Sequence, residues 1–243
     1  RRRRASSSTE DKDRLRELEA EILLLRRNLE ASKKIPEGKL AKAKEIYAFW
    51  QRVAAQGEAA GADAFEAIKK LQELDSEMAG FFVEEYGRFD RTPEKSKERI
   101  VALTCALVCG GTEAADLIKG IFGDGGIPLE DRKAALSLLQ GTGGFVKCGP
   151  IPMDADLARR ASALATSQEA VDRAAGASLL GRLETADSRS TLHALALNDE
   201  NHSVKAAAIR ALGRAGDHSS LAYLESRLDA PGFEKLVGVL QAS

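Results

Sequence analysis

Apolar residues recur at helical intervals through most of this chain. Between residues 10 and 34 the positions Leu15, Leu18, Ile22, Leu25 and Leu29 follow steps of three, four, three and four, the heptad seam of a coiled coil. With Leu15 at position a, Arg14 faces Glu19 and Glu21 faces Arg26 of a second copy, opposite signs that suit a parallel homodimer. The seam covers only about two and a half heptads, and Leu23 and Leu24 widen its apolar face. Packing of this helix on its own chain is therefore the alternative to a homodimer.

Pro36 and Gly38 punctuate the end of that helix. The spacing then predicts a helix over 39–56, with Leu40, Ala43, Tyr47, Trp50 and Ala54 on one side, and a second over 62–86, with Ile68, Leu71, Leu74, Met78 and Phe82. The two read as an antiparallel hairpin turned at 57–61. Trp50, beside Phe49 and Tyr47, is expected to hold this hairpin to the first repeat, with anchoring of a partner as its other role. Asp90 to Glu94 resets the chain: Thr92 suits an N-cap and Pro93 the first helical position. Helices are expected near 93–109, 113–122, 128–140, 154–166, 169–184, 188–198, 202–215, 218–229 and 232–241. No alternating β-branched run competes with them.

Within the later helices a sequence repeats. Arg173-Ala174-Ala175-Gly176-Ala177-Ser178-Leu179-Leu180-Gly181-Arg182 returns as Lys205-Ala206-Ala207-Ala208-Ile209-Arg210-Ala211-Leu212-Gly213-Arg214, a spacing of 32 residues. A period of this size marks stacked helical hairpins, each with an apolar side that only its neighbours can cover. Alanines allow close helix approach, leucine fills the seam between layers, and glycine is expected at the left-handed position that ends the helix.

These residues resemble HEAT-like repeats, the short bacterial kind that also occurs in phycobilin lyase subunits. The resemblance is carried over 171–229 by Ala174-Ala175 and Ala206-Ala207, by Leu180-Gly181-Arg182 and Leu212-Gly213-Arg214, and by Leu192 and Leu224; a degenerate earlier copy runs from Lys133-Ala134-Ala135 to Gly141. The family pattern has an aspartate after the Leu-Gly pair, which Asp187 and Asp217 approximate. It implies an all-α solenoid of stacked hairpins, preceded here by an N-terminal helical, coiled-coil-like region. The expected organisation is a basic tail at 1–9, a coiled-coil-like helix at 10–36, a helical hairpin at 37–90 and the solenoid at 91–243, with the irregular 144–153 stretch as a long loop on the binding face.

Charge alters this picture only at the start. The net charge is −1, so no broad field recruits nucleic acid or an acidic membrane. The first 36 residues hold eleven Lys/Arg against seven Asp/Glu. Only the Arg1 to Arg4 tail offers nucleic acid a contact, and a non-specific one. Three cysteines and no secretory segment predict reduced thiols. No long apolar run spans a membrane. A cytoplasmic protein is expected, tethered to a membrane only through a segment upstream of Arg1.

Candidate chemistry is sparse. Gly123-Asp124-Gly125-Gly126 and Gly141-Thr142-Gly143-Gly144 lack the Lys-Ser/Thr of a phosphate loop and read as turns. Cys105 and Cys109, four apart among Val101, Leu103, Ala106, Leu107 and Val108, read as buried small hydrophobes. Cys148 stands on a loop beside Lys147. His193, His202 and His218 read as surface or loop positions. No catalytic, cofactor or metal residue is assigned. The expected function is a non-catalytic protein-interaction scaffold with Arg182, Arg210, Arg214, Tyr223 and Arg227 at the partner-binding face, since Arg and Tyr are enriched in hot spots. The alternative is a lyase-like enzyme subunit holding a ligand in the groove.

Overall fold

A computed structural model describes residues 35–57, 61–71, 73–141, 146–183 and 185–214. The heptad seam from Leu15 to Leu29, His218, Tyr223, Arg227 and the two helices expected after residue 217 lie outside the described residues. Among the described residues there are ten α-helices and no strand. They are α1 (Glu37–Gln56), α2 (Gly61–Leu71), α3 (Ala79–Arg88), α4 (Ser96–Cys109), α5 (Gly111–Gly123), α6 (Leu129–Gln140), α7 (Ala155–Leu164), α8 (Ala170–Leu180), α9 (Ala186–Asn198) and α10 (His202–Arg214).

From α3 onward the described residues form an α-solenoid with hairpins α3/α4, α5/α6, α7/α8 and α9/α10. The second helices form an unbroken row in which α4 lies against α6, α6 against α8 and α8 against α10. On the other layer α3 neighbours α5, and α5 neighbours α7. Helix α1 covers the open end of the row by packing on α4, and α2 packs on α1. One continuous core runs from Ala43 in α1 to Leu212 in α10. Leu180 and Leu212, one repeat apart, are 2% and 1% exposed in that core. Burial of a leucine of this kind is worth about 2 kcal/mol.

The aromatics of the N-terminal region join α1 to the first hairpin. Tyr47 meets Phe81 and Phe82 edge-on at 5.9 Å each, and the two phenylalanines stand 5.1 Å apart. Trp50 is half-buried and packs both on the main core and on a small cluster around Val53 and Ala67.

Three details differ from the sequence expectations. The helix expected over 62–86 breaks after Leu71, because Asp75 accepts from the Glu77 amide (3.0 Å) and from Lys39 (2.7 Å) and starts a short 3-10 turn, Ser76–Met78. The new segment, α3, turns onto α4, so the layered packing already includes residue 79. Gly181 is right-handed, with φ −63°. Its lack of a side chain serves proximity instead, since a Cβ there would lie 2.6 Å from the Ala211 Cβ. Gly141, with φ +69°, does end α6 in the left-handed way. Finally, the stretch around Cys148 is tied down: the Gly149 amide donates to the Leu107 carbonyl (2.8 Å) and the Gly111 amide to the Pro150 carbonyl (2.7 Å). This strap satisfies backbone groups at the junction of α4 and α5.

Helix α8 comes close to α7 and its C-cap at Gly176, where a Cβ would sit 2.5 Å from the Ala165 nitrogen and 2.8 Å from the Ala161 oxygen. Gly176→Ala is expected to destabilise by about 1–3 kcal/mol through overpacking. Gly87→Ala in α3, where a Cβ meets nothing within 4 Å, is expected to stabilise by about 0.5–1 kcal/mol. Urea denaturation of the two variants measures this, and a stabilised Gly176→Ala would contradict the α7/α8 contact.

Candidate interaction surface

The row of second helices has two edges, and their charges behave differently. At the N-terminal edge the fourth residue of each helix is basic: Arg99 in α4, Arg132 in α6, Arg173 in α8 and Lys205 in α10. Each arginine reaches an acid of the next hairpin. Arg99 forks onto Asp131 with Nε–Oδ2 at 2.9 Å and Nη2–Oδ1 at 3.2 Å, and its Nη1 donates to the carbonyls of Asp90 and Thr92. Arg132 donates to Asp172 at 3.0 Å. Arg173 forks onto Asp199 at 2.7 and 3.0 Å and donates to the Ser167 and Gln168 carbonyls. Lys205, without such an acid, donates to the Leu197 carbonyl at 3.1 Å.

These pairs are internal struts. Arg99 is 1% and Asp131 0% exposed, and Tyr86 of α3 donates a further bond to Asp131 at 2.9 Å. Burial, and then the Asp131 carboxylate, push the Tyr86 phenol well above its ordinary pKa. Asp131 and Asp172 also occupy the first turns of α6 and α8, where the helix dipole favours negative charge. Burial raises the Asp199 carboxyl, but the Arg173 guanidinium and the Asn201 amide overcome it and leave the group below its usual pKa.

The opposite edge holds Arg182, just past α8, with Arg210 and Arg214 of α10. Arg214 Nη1 donates to the Leu139 carbonyl and Arg210 Nη1 to Gln140 Oε1, each at 3.2 Å. Both acceptors belong to the last residues of α6, the negative end of that helix. Arg182 lies beside Cys148: burial raises that thiol, and the charge and hydrogen bond of Arg182 oppose the rise. Burial, followed by the charges of Arg182 and Arg210, lowers the pKa of Arg214, and burial lowers that of Arg210. The Arg182 Nε is buried without a hydrogen-bond partner. No carboxylate pairs with any of the three among the described residues.

Three of the five residues expected at a partner-binding face thus come together, while Tyr223 and Arg227 lie outside the described residues. The ladder of struts was not anticipated. Its signal was in the sequence, as an acid-Arg pair at the start of successive second helices: Glu98-Arg99, Asp131-Arg132 and Asp172-Arg173. Asp187 lies in the first turn of α9, and the aspartate that serves the repeat is Asp199, before α10. Cys105 and Cys109 are buried, with both thiols raised foremost by burial. His193 is half-buried in α9 and His202 is exposed at the start of α10. Among the described residues no group of three His, Cys, Asp or Glu could hold a metal ion, and no helix is long and apolar enough to cross a membrane.

The Arg173–Asp199 strut makes a titratable expectation. Asp199→Asn is expected to cost about 3 kcal/mol at neutral pH, as breaking a mostly buried pair does. Because the folded-state pKa of Asp199 is depressed below the unfolded value of about 3.9, the advantage of the native chain is present above that value and lost as pH falls through the folded-state pKa. Denaturation of both proteins from pH 7 to pH 3 reads the gap. A gap unchanged at the lowest pH would show that the carboxylate does not carry it.

Residues 157–236 match the family model for HEAT repeats, a stretch that begins in α7, takes in α8 to α10 and runs past the described residues. No curated protein and no solved structure matches the chain. The upstream hairpins α3/α4 and α5/α6 lie outside the match, yet they continue the same row.

Proposed function

We propose that this protein is a non-catalytic protein-interaction scaffold whose partner-binding face is the edge formed by Arg182, Arg210 and Arg214; Tyr223 and Arg227, expected there from the sequence, lie outside the described residues. One observation supports the reading above others: the arginines of the N-terminal edge are all paired with acids of the next hairpin, whereas those of the opposite edge have no acid partner among the described residues. Stacked hairpins suit this role because equivalent positions of consecutive repeats come to lie side by side. HEAT repeats commonly serve protein association, which agrees with the reading. In this proposal the seam of Leu15, Leu18, Ile22, Leu25 and Leu29 supplies self-association, and the protein acts in the cytoplasm.

The resemblance to phycobilin lyase subunits supports a second reading, a ligand held in the groove of the repeats. Two cavities bordered by described residues, about 480 and 340 Å³, lie along α1 and away from the matched repeats, so neither of them supports it.

Affinity capture from native extract tests the proposal, comparing the full chain with R182Q/R210Q/R214Q. A protein held by the native chain is expected to be reduced at least about tenfold with the variant, and hydrogen exchange on the reconstituted complex is expected to be slowed at the C-terminal ends of α8 and α10. Equal capture by both proteins, or protection confined to α1, would overturn it.

A further inference from the structure

We infer that Arg182, Arg210 and Arg214 form a carboxylate clamp for an acidic peptide segment, one carrying two or more neighbouring Asp or Glu side chains. The inference rests on the scaffold reading and adds the chemistry of what the scaffold holds. Arg210 and Arg214 reach adjacent residues at the end of α6, and Gly181 sets Arg182 against α10, where a Cβ at 181 would lie 2.6 Å from the Ala211 Cβ. The acceptors the three reach among the described residues, a carbonyl, an amide oxygen and the Cys148 thiol, carry no charge to offset theirs. Each guanidinium has five N–H donors in a planar fork that matches a carboxylate. One donor of Arg210 and one of Arg214 are engaged by the end of α6, which orients both forks and leaves the others for a ligand. The buried Arg182 Nε has no acceptor, and an anion seated here would relieve the repulsion as it bound.

The size of the cluster selects among anions. Nucleic-acid recognition draws on about six to ten phosphate contacts, and anionic membranes on clusters of about four to eight basic residues. Three arginines fall below both, in a chain whose net charge is −1. They do match two or three carboxylates at the spacing of neighbouring peptide side chains. Arg214 is exposed over its side chain as a whole while its guanidinium is the more sheltered part, and Arg182 and Arg210 are half-buried, so the site is open to a peptide and partly sheltered from competing salt.

The test uses the full chain and fluorescein-labelled hexaglutamate, read by fluorescence anisotropy in 50 and 300 mM salt, with a Gly-Ser peptide of equal length as control. Binding of hexaglutamate alone is expected, weakened by salt, and reduced at least about tenfold in R182Q/R210Q/R214Q. The charge-matched K44Q/K69Q/K97Q, which removes three exposed lysines elsewhere, is expected to change affinity less than about twofold. R182K/R210K/R214K, which keeps charge and loses the forks, is expected to fall between them. Equal losses in the arginine and lysine variants would reduce the effect to general attraction and overturn the clamp. So would an arginine variant that melts earlier but binds as before, the behaviour of residues that only cap α6. Should the triple variant fail to fold, Arg182→Gln alone, which removes no bond to α6, is expected to lose binding several-fold, and unchanged binding would overturn the proposal. Capture of a partner through this edge, unaffected by excess hexaglutamate, would refute the clamp and leave the scaffold reading standing.

Discussion

Close lateral contact between the second helices is the constraint on which the molecule depends. Helix α4 is buried on almost every side, with Ala102, Leu103, Cys105, Ala106 and Leu107 at 0% exposure, and its own hairpin partner cannot cover so much surface. The remainder is supplied by α6 on one flank and α1 on the other. No hairpin has a core of its own, and this explains why one hydrophobic cluster runs from α1 to α10. Small residues set the spacing. The Cβ-free Gly181 admits Ala211, and Gly176 admits the α7 backbone at Ala161 and Ala165, so a methyl group at either seam has nowhere to go.

Apolar packing of this kind fixes distance better than register, because alanine surfaces slide with little penalty. The Arg–Asp struts supply what packing lacks. Arg99 to Asp131, Arg132 to Asp172 and Arg173 to Asp199 each span neighbouring hairpins at one end of the row, and bidentate geometry at two of the three leaves little freedom along the helix axes. The extra bonds from Arg99 and Arg173 to loop carbonyls satisfy backbone groups as well, so these buried charges are fully engaged and their desolvation is offset.

The stacked architecture was legible because the 32-residue spacing and the helical apolar intervals point to the same fold. What stayed hidden depended on single polar atoms. Ile68, Leu71, Leu74, Met78 and Phe82 keep helical spacing across the break before α3, so periodicity could not reveal it; only Asp75-Ser76, an N-cap pattern inside an apolar run, carried the signal. The Leu-Gly pair suggested a left-handed helix end at Gly181, but close approach between helices calls for glycine equally well, and sequence alone does not separate the two. Arg182 and Arg214 were visible as repeat partners. The bonds of Arg210 and Arg214 to the C-terminus of α6 were not, since they depend on which helix lies beside α10.

The arginine edge is not a product of the repeat alone. Arg182 and Arg214 are one period apart and would recur in any regular stack, but the position one period before Arg210 is Ser178, which is buried and donates to the Ala174 carbonyl at 2.8 Å. Packing of α8 needs no charge there. At Arg210 the same place in the following helix carries a guanidinium that lies near Arg214 and pairs with no carboxylate among the described residues. A third positive charge at that point adds repulsion and desolvation, and one hydrogen bond to Gln140 offsets little of either. A residue that strains the fold in this way, where the repeat supplies a neutral solution, is better explained by an anion it meets than by the stack it belongs to.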